Sequence, residues 1–191
     1  MIILQSPKLA KIHMKLGSII FCDATFFVCP SFAYQLFITR VFSSITNSYY
    51  TTSFTIMDGK KEIDYTKIFN QINEHIKLYL DIGETYEVKE IHTDFEIAIG
   101  KGCKNIYPNV KIKYCIFHML NALDLKKNNL CKTDIIDNDD VFIYYNMICN
   151  LYLCDPLFVK SVFKLIETNN SNENFNRFLN YFKITYIKNF L

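Results

Sequence analysis

Three apolar-rich runs open the chain. Residues 18–29, SIIFCDATFFVC, are dense in β-branched and aromatic side chains and stop at Pro30, which predicts a strand moderately buried on both faces. The runs AYQLFITRVFSS (33–44) and YYTTSFTIM (49–57) predict two more strands, the last closed by the Asp58-Gly59 turn signal. Connections this short favour an antiparallel meander. The period then becomes helical. After Asp64, a predicted N-cap, the residues Ile68, Phe69, Ile72, Ile76 and Leu80 place one buried stripe on a helix over 65–80. YEVKEIHT (86–93) predicts a short strand and 95–106 a helix. In NVKIKYCIF (109–117), Val110, Ile112 and Tyr114 alternate with Lys111 and Lys113, the pattern of a half-buried strand at or near a sheet edge. A helix follows over 118–127.

The remainder reads as helical. DDVFIYYNMICNLYL starts from an aspartate cap, and DPLFVKSVFKLIE has Asp155 as cap, Pro156 in the first turn, and Val159, Val162, Phe163 and Ile166 on one face. An Asn-rich loop (169–174) precedes a last amphipathic helix marked by Phe175, Phe178, Leu179 and Phe182. The order is βββ-α-β-α-β-α and then helices alone. Three antiparallel strands passing into right-handed βα crossovers give a mixed five-stranded sheet with helices against its faces. That is the ribonuclease H-like α/β order. The expected organisation is an N-terminal extension (1–17), a ribonuclease H-like core (18–128) and an all-helical region (129–191).

Composition narrows the class. The chain has 191 residues, half of them hydrophobic, with no Trp and few Gly or Pro. It can therefore bury a core and does not read as disordered or as linker. A formal charge of +2 lacks the basic excess of a strong nucleic-acid binder. The seven cysteines are scattered, odd in number and without a CxxC pair, which suits a reducing compartment better than a disulfide framework. Asp23, Pro30 and Arg40 interrupt the longest apolar stretch, so no membrane span is expected, and the first residues do not form a signal peptide.

The candidate chemistry lies in two aspartates. In a sheet of this order the first strand is central and the fourth pairs parallel beside it. Asp23 is in the first and Asp94 closes the fourth, so the carboxylates would face each other across one strand gap of about 4.8 Å. Two such anions repel unless a cation lies between them. Mg²⁺ or Mn²⁺ suits oxygen ligands and leaves positions for water and phosphate. The alternative for Asp94 is a simple helix cap. For Asp23 that reading is weaker, because an unpaired carboxylate in an apolar strand is costly.

These residues also carry a family resemblance. CDATFFVCPSFAYQLFITRVF resembles the opening of a Mutator-like element (MULE) transposase domain, and IHTDFEIAIGKGCKNIYPNVKIKYCIFHMLNAL resembles its second block. That block comprises Thr93 to Glu96, Tyr107 to Ile112, and a Cys-x-x-His pair, Cys115 and His118; NYFKITYI (180–187) resembles a later helical stretch. The resemblance implies that Asp23 and Asp94 are the first two members of an Asp-Asp-Glu (DDE) metal-binding triad serving DNA transposition and recombination. The third acid is expected beyond the stretch that NYFKITYI resembles, and the chain ends at Leu191. Glu173 imitates that acid's surroundings, but it precedes NYFKITYI and so stands in the wrong order. Cys115 and His118 supply two ligands where a structural zinc site takes four. No second Cys/His pair is evident, although Cys103 and Cys131 are thiols that could approach, and zinc is not expected.

The leading expectation is a DDE-type transposase domain whose ancestral reaction is metal-dependent DNA strand cleavage and transfer, with little or no transposition by this polypeptide alone. The alternative is a non-catalytic, transposase-derived DNA- or protein-interaction module. A host nuclease of the same fold is a third reading. Transposon ends and target DNA are the expected partners, no membrane is involved, and homo-oligomers are compatible with the class. A nuclear location follows from the substrate alone, with no clear import signal; otherwise a cytoplasmic one is expected. The 22 residues before Asp23 are too few for the zinc-finger targeting module such proteins usually carry.

Overall fold

The computed structural model describes residues 1–190, and strands and helices are interspersed up to Tyr114. In chain order they are β1 (Ile2–Leu4), α1 (Pro7–Leu16), β2 (Ile19–Thr25), β3 (Gln35–Ser43), β4 (Ser48–Met57), α2 (Glu62–Lys77), β5 (Glu90–Thr93), α3 (Ile97–Lys104) and β6 (Lys111–Tyr114). The chain divides into two compact units, Met1–Cys115 and Ile116–Leu191.

The first unit is a mixed sheet in the order β1-β4-β3-β2-β5-β6. β2, β3 and β4 form the antiparallel meander that their spacing predicts, while β5 pairs parallel to β2 and β6 parallel to β5. The sheet has six strands rather than the expected five. The extra one is β1, antiparallel to β4 at one edge. Three residues carry too little pattern to announce a strand, and only the free edge of β4 makes one of them. α1 also falls within the expected extension. Its signals are brief: the Ser6 side chain caps Leu9 N, Pro7 opens the helix, and Gly17 ends it.

The two sheet faces differ. Ile20, Cys22, Phe37, Met57 and Ile91 point into one core with Tyr65, Ile68, Phe69, Ile72 and Ile76 of α2, and with Ile99 and Cys103 of α3. Each large side chain so buried contributes about 1.5–3 kcal/mol. α1 and α2 contact each other and pack on this same face. α2 begins at Glu62, with Lys61 as its N-cap. Asp64 is therefore not the predicted cap but the third helical residue, and its Oδ2 accepts from the Lys61 N–H at 3.0 Å. α3 approaches α2 closely at Gly102, where an added Cβ would lie 2.6 Å from Tyr65 Cβ and 2.8 Å from the Thr66 nitrogen.

Beneath α1 the core is polar. The β3–β4 register shifts between Thr39 and Arg40, a bulge that lets both Thr52 and Ser53 face inward. Thr39 Oγ1 lies 2.9 Å from Thr52 Oγ1 and 2.6 Å from Ser53 Oγ, and His13 Nδ1 lies 2.8 Å from Thr52 Oγ1. All four residues are fully buried.

The second unit is helical: α4 (Ile116–Leu130), α5 (Lys132–Asp137), α6 (Asp139–Cys149), α7 (Pro156–Asn169) and α8 (Glu173–Phe182). Asn138, not an aspartate, caps α6 by accepting from Asp140 N and Val141 N. Asp155 caps α7 as its sequence predicts. In the Asn-rich segment, Asn172 caps α8 through Phe175 N, and Asn170 Nδ2 donates to Asn176 Oδ1. Phe175, Phe178, Leu179 and Phe182 are buried, and Val159, Phe163 and Ile166 likewise on α7.

Two outcomes follow from this packing. Burial lowers the His13 pKa from 6.5 to about 4, so the unfolded chain takes up a proton that the folded one refuses. The stability this residue protects is complete above pH 6.5 and is lost as pH falls to 4, a span worth about 3 kcal/mol. Urea titrations between pH 7 and pH 4 should show that loss, and His13→Gln should flatten it. In Gly102→Ala the new methyl meets backbone on α2, so thermal melting should show a destabilisation of about 1–3 kcal/mol.

Candidate functional site

The parallel ladder between β2 and β5 runs Ile19↔Glu90, Ile20↔Ile91 and Phe21↔His92. Continued by two positions, that register sets Asp23 opposite Asp94. On β2, Ile20 and Cys22 enter the core, so Phe21 and Asp23 take the other face; on β5, Ile91 and Thr93 are buried, so His92 takes the other face, and Asp94 follows just past the strand's end. Both aspartates are partly exposed. Burial pushes the Cys22 thiol pKa well up, and Cys103, Asp94 and Asp23 push it further.

Asp94 stands just beyond β5, where its Oδ1 accepts from the Glu96 N–H at 3.0 Å. It closes a turn one residue ahead of α3, whose N-cap is Glu96. A carboxylate has a second oxygen and further lone pairs, so this turn and cation binding are compatible. Glu96 extends the acidic ground. Its Oε1 accepts from Tyr65 Oη at 2.7 Å, Lys60 Nζ lies 4.0 Å from Oε2, and Gln35 Nε2 donates to Tyr65 Oη at 2.7 Å. Burial raises the Glu96 pKa and Asp94 adds to the rise, while Tyr65 and Lys60 oppose it. Tyr65 is itself fully buried, so α2 holds this carboxylate through a rigid ring. No spacing rule links Gln35, Tyr65 and Glu96, and the sequence pattern does not reveal them as a group.

The other candidates sit elsewhere in the chain. Cys115 ends the first unit, its N–H donating to Thr93 O at 2.8 Å, and His118 lies in the first turn of α4 in the second unit. Cys103 is buried in the first core and its pKa is pushed up to about 12; Cys131 is buried in the second unit and pushed up to about 11. Glu173 opens α8, exposed, with Arg177 Nη2 at 3.2 Å, an ordinary first-turn acid and i,i+4 pair. All seven cysteines are free. Among the described residues, no three His, Cys, Asp or Glu side chains group closely enough to hold a metal ion, and no helix is long and apolar enough to cross a membrane.

A mixed α/β sheet with paired aspartates at the ends of adjacent parallel strands defines a class, and comparison with known families makes it specific. The profile of the MULE transposase domain matches residues 19–122, and the chain belongs to that family. The matched segment begins at β2 and ends within α4, so it contains both aspartates and the Cys115–His118 pair. Among solved structures, the Drosophila P element transposase strand transfer complex is similar at 12% identity and a TM-score of 0.37, over 95% of this chain and 53% of that one. The chain thus spans about half the length of that transposase chain. No curated protein matches.

Removing the Tyr65 hydroxyl tests the link to Glu96. In Tyr65→Phe the Glu96 pKa should rise further, because a hydrogen bond to the ionised form is lost. Carbon-detected NMR titration of the glutamate carboxyls reads that shift. Gln35 loses an acceptor at the same time, at a cost of about 1–3 kcal/mol in denaturant unfolding.

Proposed function

We propose that this chain is a transposase domain of the ribonuclease H-like, DDE type, with metal-dependent cleavage and transfer of DNA strands as its chemistry. The observation that carries the reading is the register that sets Asp23 opposite Asp94 at the carboxyl ends of two parallel strands, where open α/β sheets place ligands. Family membership over residues 19–122 supports the substrate class.

The donor set fits a hard divalent cation. Asp23 and Asp94 would hold Mg²⁺ or Mn²⁺ through oxygens alone, and a bound ion would supply polarisation of a phosphodiester oxygen and activation of water. The chain's own part is to hold one carboxylate on β2 and the other in the turn just past β5, with Glu96 beside Asp94 adding negative potential. Transposon ends and target DNA are the partners of this chemistry, the nucleus is its place, and self-association is compatible with it. Two carboxylates leave most of an ion's coordination to water, so binding of the free ion is weak.

A second reading is favoured by one observation: no three potential ligands group together among the described residues. In that reading the domain keeps the fold and recognises DNA or protein without catalysis.

Mn²⁺ titration monitored by electron paramagnetic resonance separates the two. The metal reading expects saturable binding that Asp23→Asn and Asp94→Asn each weaken at least tenfold, equivalent to about 1.4 kcal/mol. Binding that ignores both substitutions would exclude the aspartate pair as the site.

A further inference from the structure

The sheet face opposite α1 and α2 carries a row of side chains that runs across the strands. By register, Arg40 on β3 pairs with Phe21 on β2, Phe21 with His92 on β5, and His92 with Lys113 on β6. Contacts agree with the register. The Phe21 and His92 rings lie 4.6 Å apart, the Tyr49 ring meets Phe21 edge-on at 5.0 Å, and the Arg40 guanidinium sits 5.4 Å from the Tyr49 ring. Glu90 accepts from Lys113 Nζ at 2.9 Å and lies 2.5 Å from His92 Nε2. Tyr49 is 48% exposed, and the Lys113 side chain 57%.

None of the four row residues belongs to the first core. Strand residues on a solvated sheet face are ordinarily scattered polar groups. Here a cation, an aromatic ring, an imidazole and a second cation stand in line over three strand gaps, about 14 Å. That length exceeds one base step of about 3.4 Å. Flat rings between cations match a nucleic-acid strand whose bases offer their faces, which a duplex keeps stacked inside. The charges point the same way. On this face Arg40, Lys111 and Lys113 balance Glu90, Asp23 and the adjoining Asp94 beyond β5, so a divalent ion on the aspartates would leave it net positive and suited to a polyanion.

We propose that the Arg40–Phe21–His92–Lys113 row binds an unpaired DNA strand and presents it to the aspartate pair. Phe21 and Asp23 are two residues apart on one face, and Asp94 follows His92 by two positions, so the row lies about 7 Å from the carboxylates. A base stacks on Phe21 and His92, Arg40 and Lys113 take the flanking phosphates, and the next phosphodiester falls beside Asp23 and Asp94. The proposal rests on the metal reading for the place of the reacting phosphodiester, whereas strand binding itself requires no metal.

The test is fluorescence anisotropy of the full chain with a labelled single-stranded 15-mer and its duplex, in EDTA at low salt. Single strand should bind more tightly than duplex. Lys113→Ala and Arg40→Gln should each weaken it several-fold and flatten the slope of log K against log salt by about 0.7. Phe21→Leu, which keeps an apolar side chain, should cost about tenfold. Asp94→Asn should strengthen metal-free binding by removing a negative charge. Circular dichroism melting confirms that each variant folds, and His92→Phe, which keeps the stack, should retain most of the affinity. Tighter binding of duplex, affinities unchanged in Lys113→Ala and Arg40→Gln, or no strand binding with self-association instead would each overturn the proposal. Because the assay contains no metal, strand binding can fail while Mn²⁺ binding stands, and the converse.

Discussion

The parallel pairing of β2 with β5 is the constraint on which the first unit depends. Its ladder joins strands that are far apart in sequence, and the register Ile20↔Ile91 places two fully buried isoleucines side by side under α2 and α3. Side chains alternate with a period of two, so burying that pair sends Phe21, Asp23 and His92 to the opposite face. A one-residue slip of β2 would bury Asp23 and expose Ile20. The cost of burying charge without compensation therefore defends the same register that assembles the candidate site.

Around that ladder the two faces are treated differently. One is sealed by helices, and the closeness of α3 to α2 at Gly102 brings the start of α3 within reach of Tyr65. The Gln35–Tyr65–Glu96 chain then ties β3, α2 and the turn after β5 together by hydrogen bonds. Beneath α1, the bulge in β4 supplies hydroxyls for His13 in place of apolar packing. The other face keeps its cations, rings and acids together in rows, because strands that place one kind of residue inward must place the rest outward.

Much of this was legible along the chain. Strong alternation and β-branched density marked β2 to β6, and the aspartates at 23 and 94 stood out as acids set in or after apolar strands. Boundaries were less legible. The apolar run that extends past Thr25 to Cys29 leaves the sheet, because β2 pairs with β3 only as far as Thr25↔Leu36. Lys61 rather than Asp64 caps α2, since a capping box uses the acid from inside the helix. β1 and α1 went unrecognised, being too short or too weakly patterned to compete with the stronger runs that follow.

What the sequence by itself determined was local: which segments alternate, which turn at helical spacing, where caps and acids stand, and which family the chain resembles. Those properties depend on neighbours within a few residues, and short-range sterics and burial periodicity encode them directly. The tertiary structure decided the rest. It paired β1 with the free edge of β4, brought Gln35, Tyr65 and Glu96 into one hydrogen-bonded chain, and aligned Arg40, Phe21, His92 and Lys113 across four strands. Each of these joins residues tens of positions apart, and their meeting is set by sheet register, a property of strand pairs that no single stretch of sequence contains.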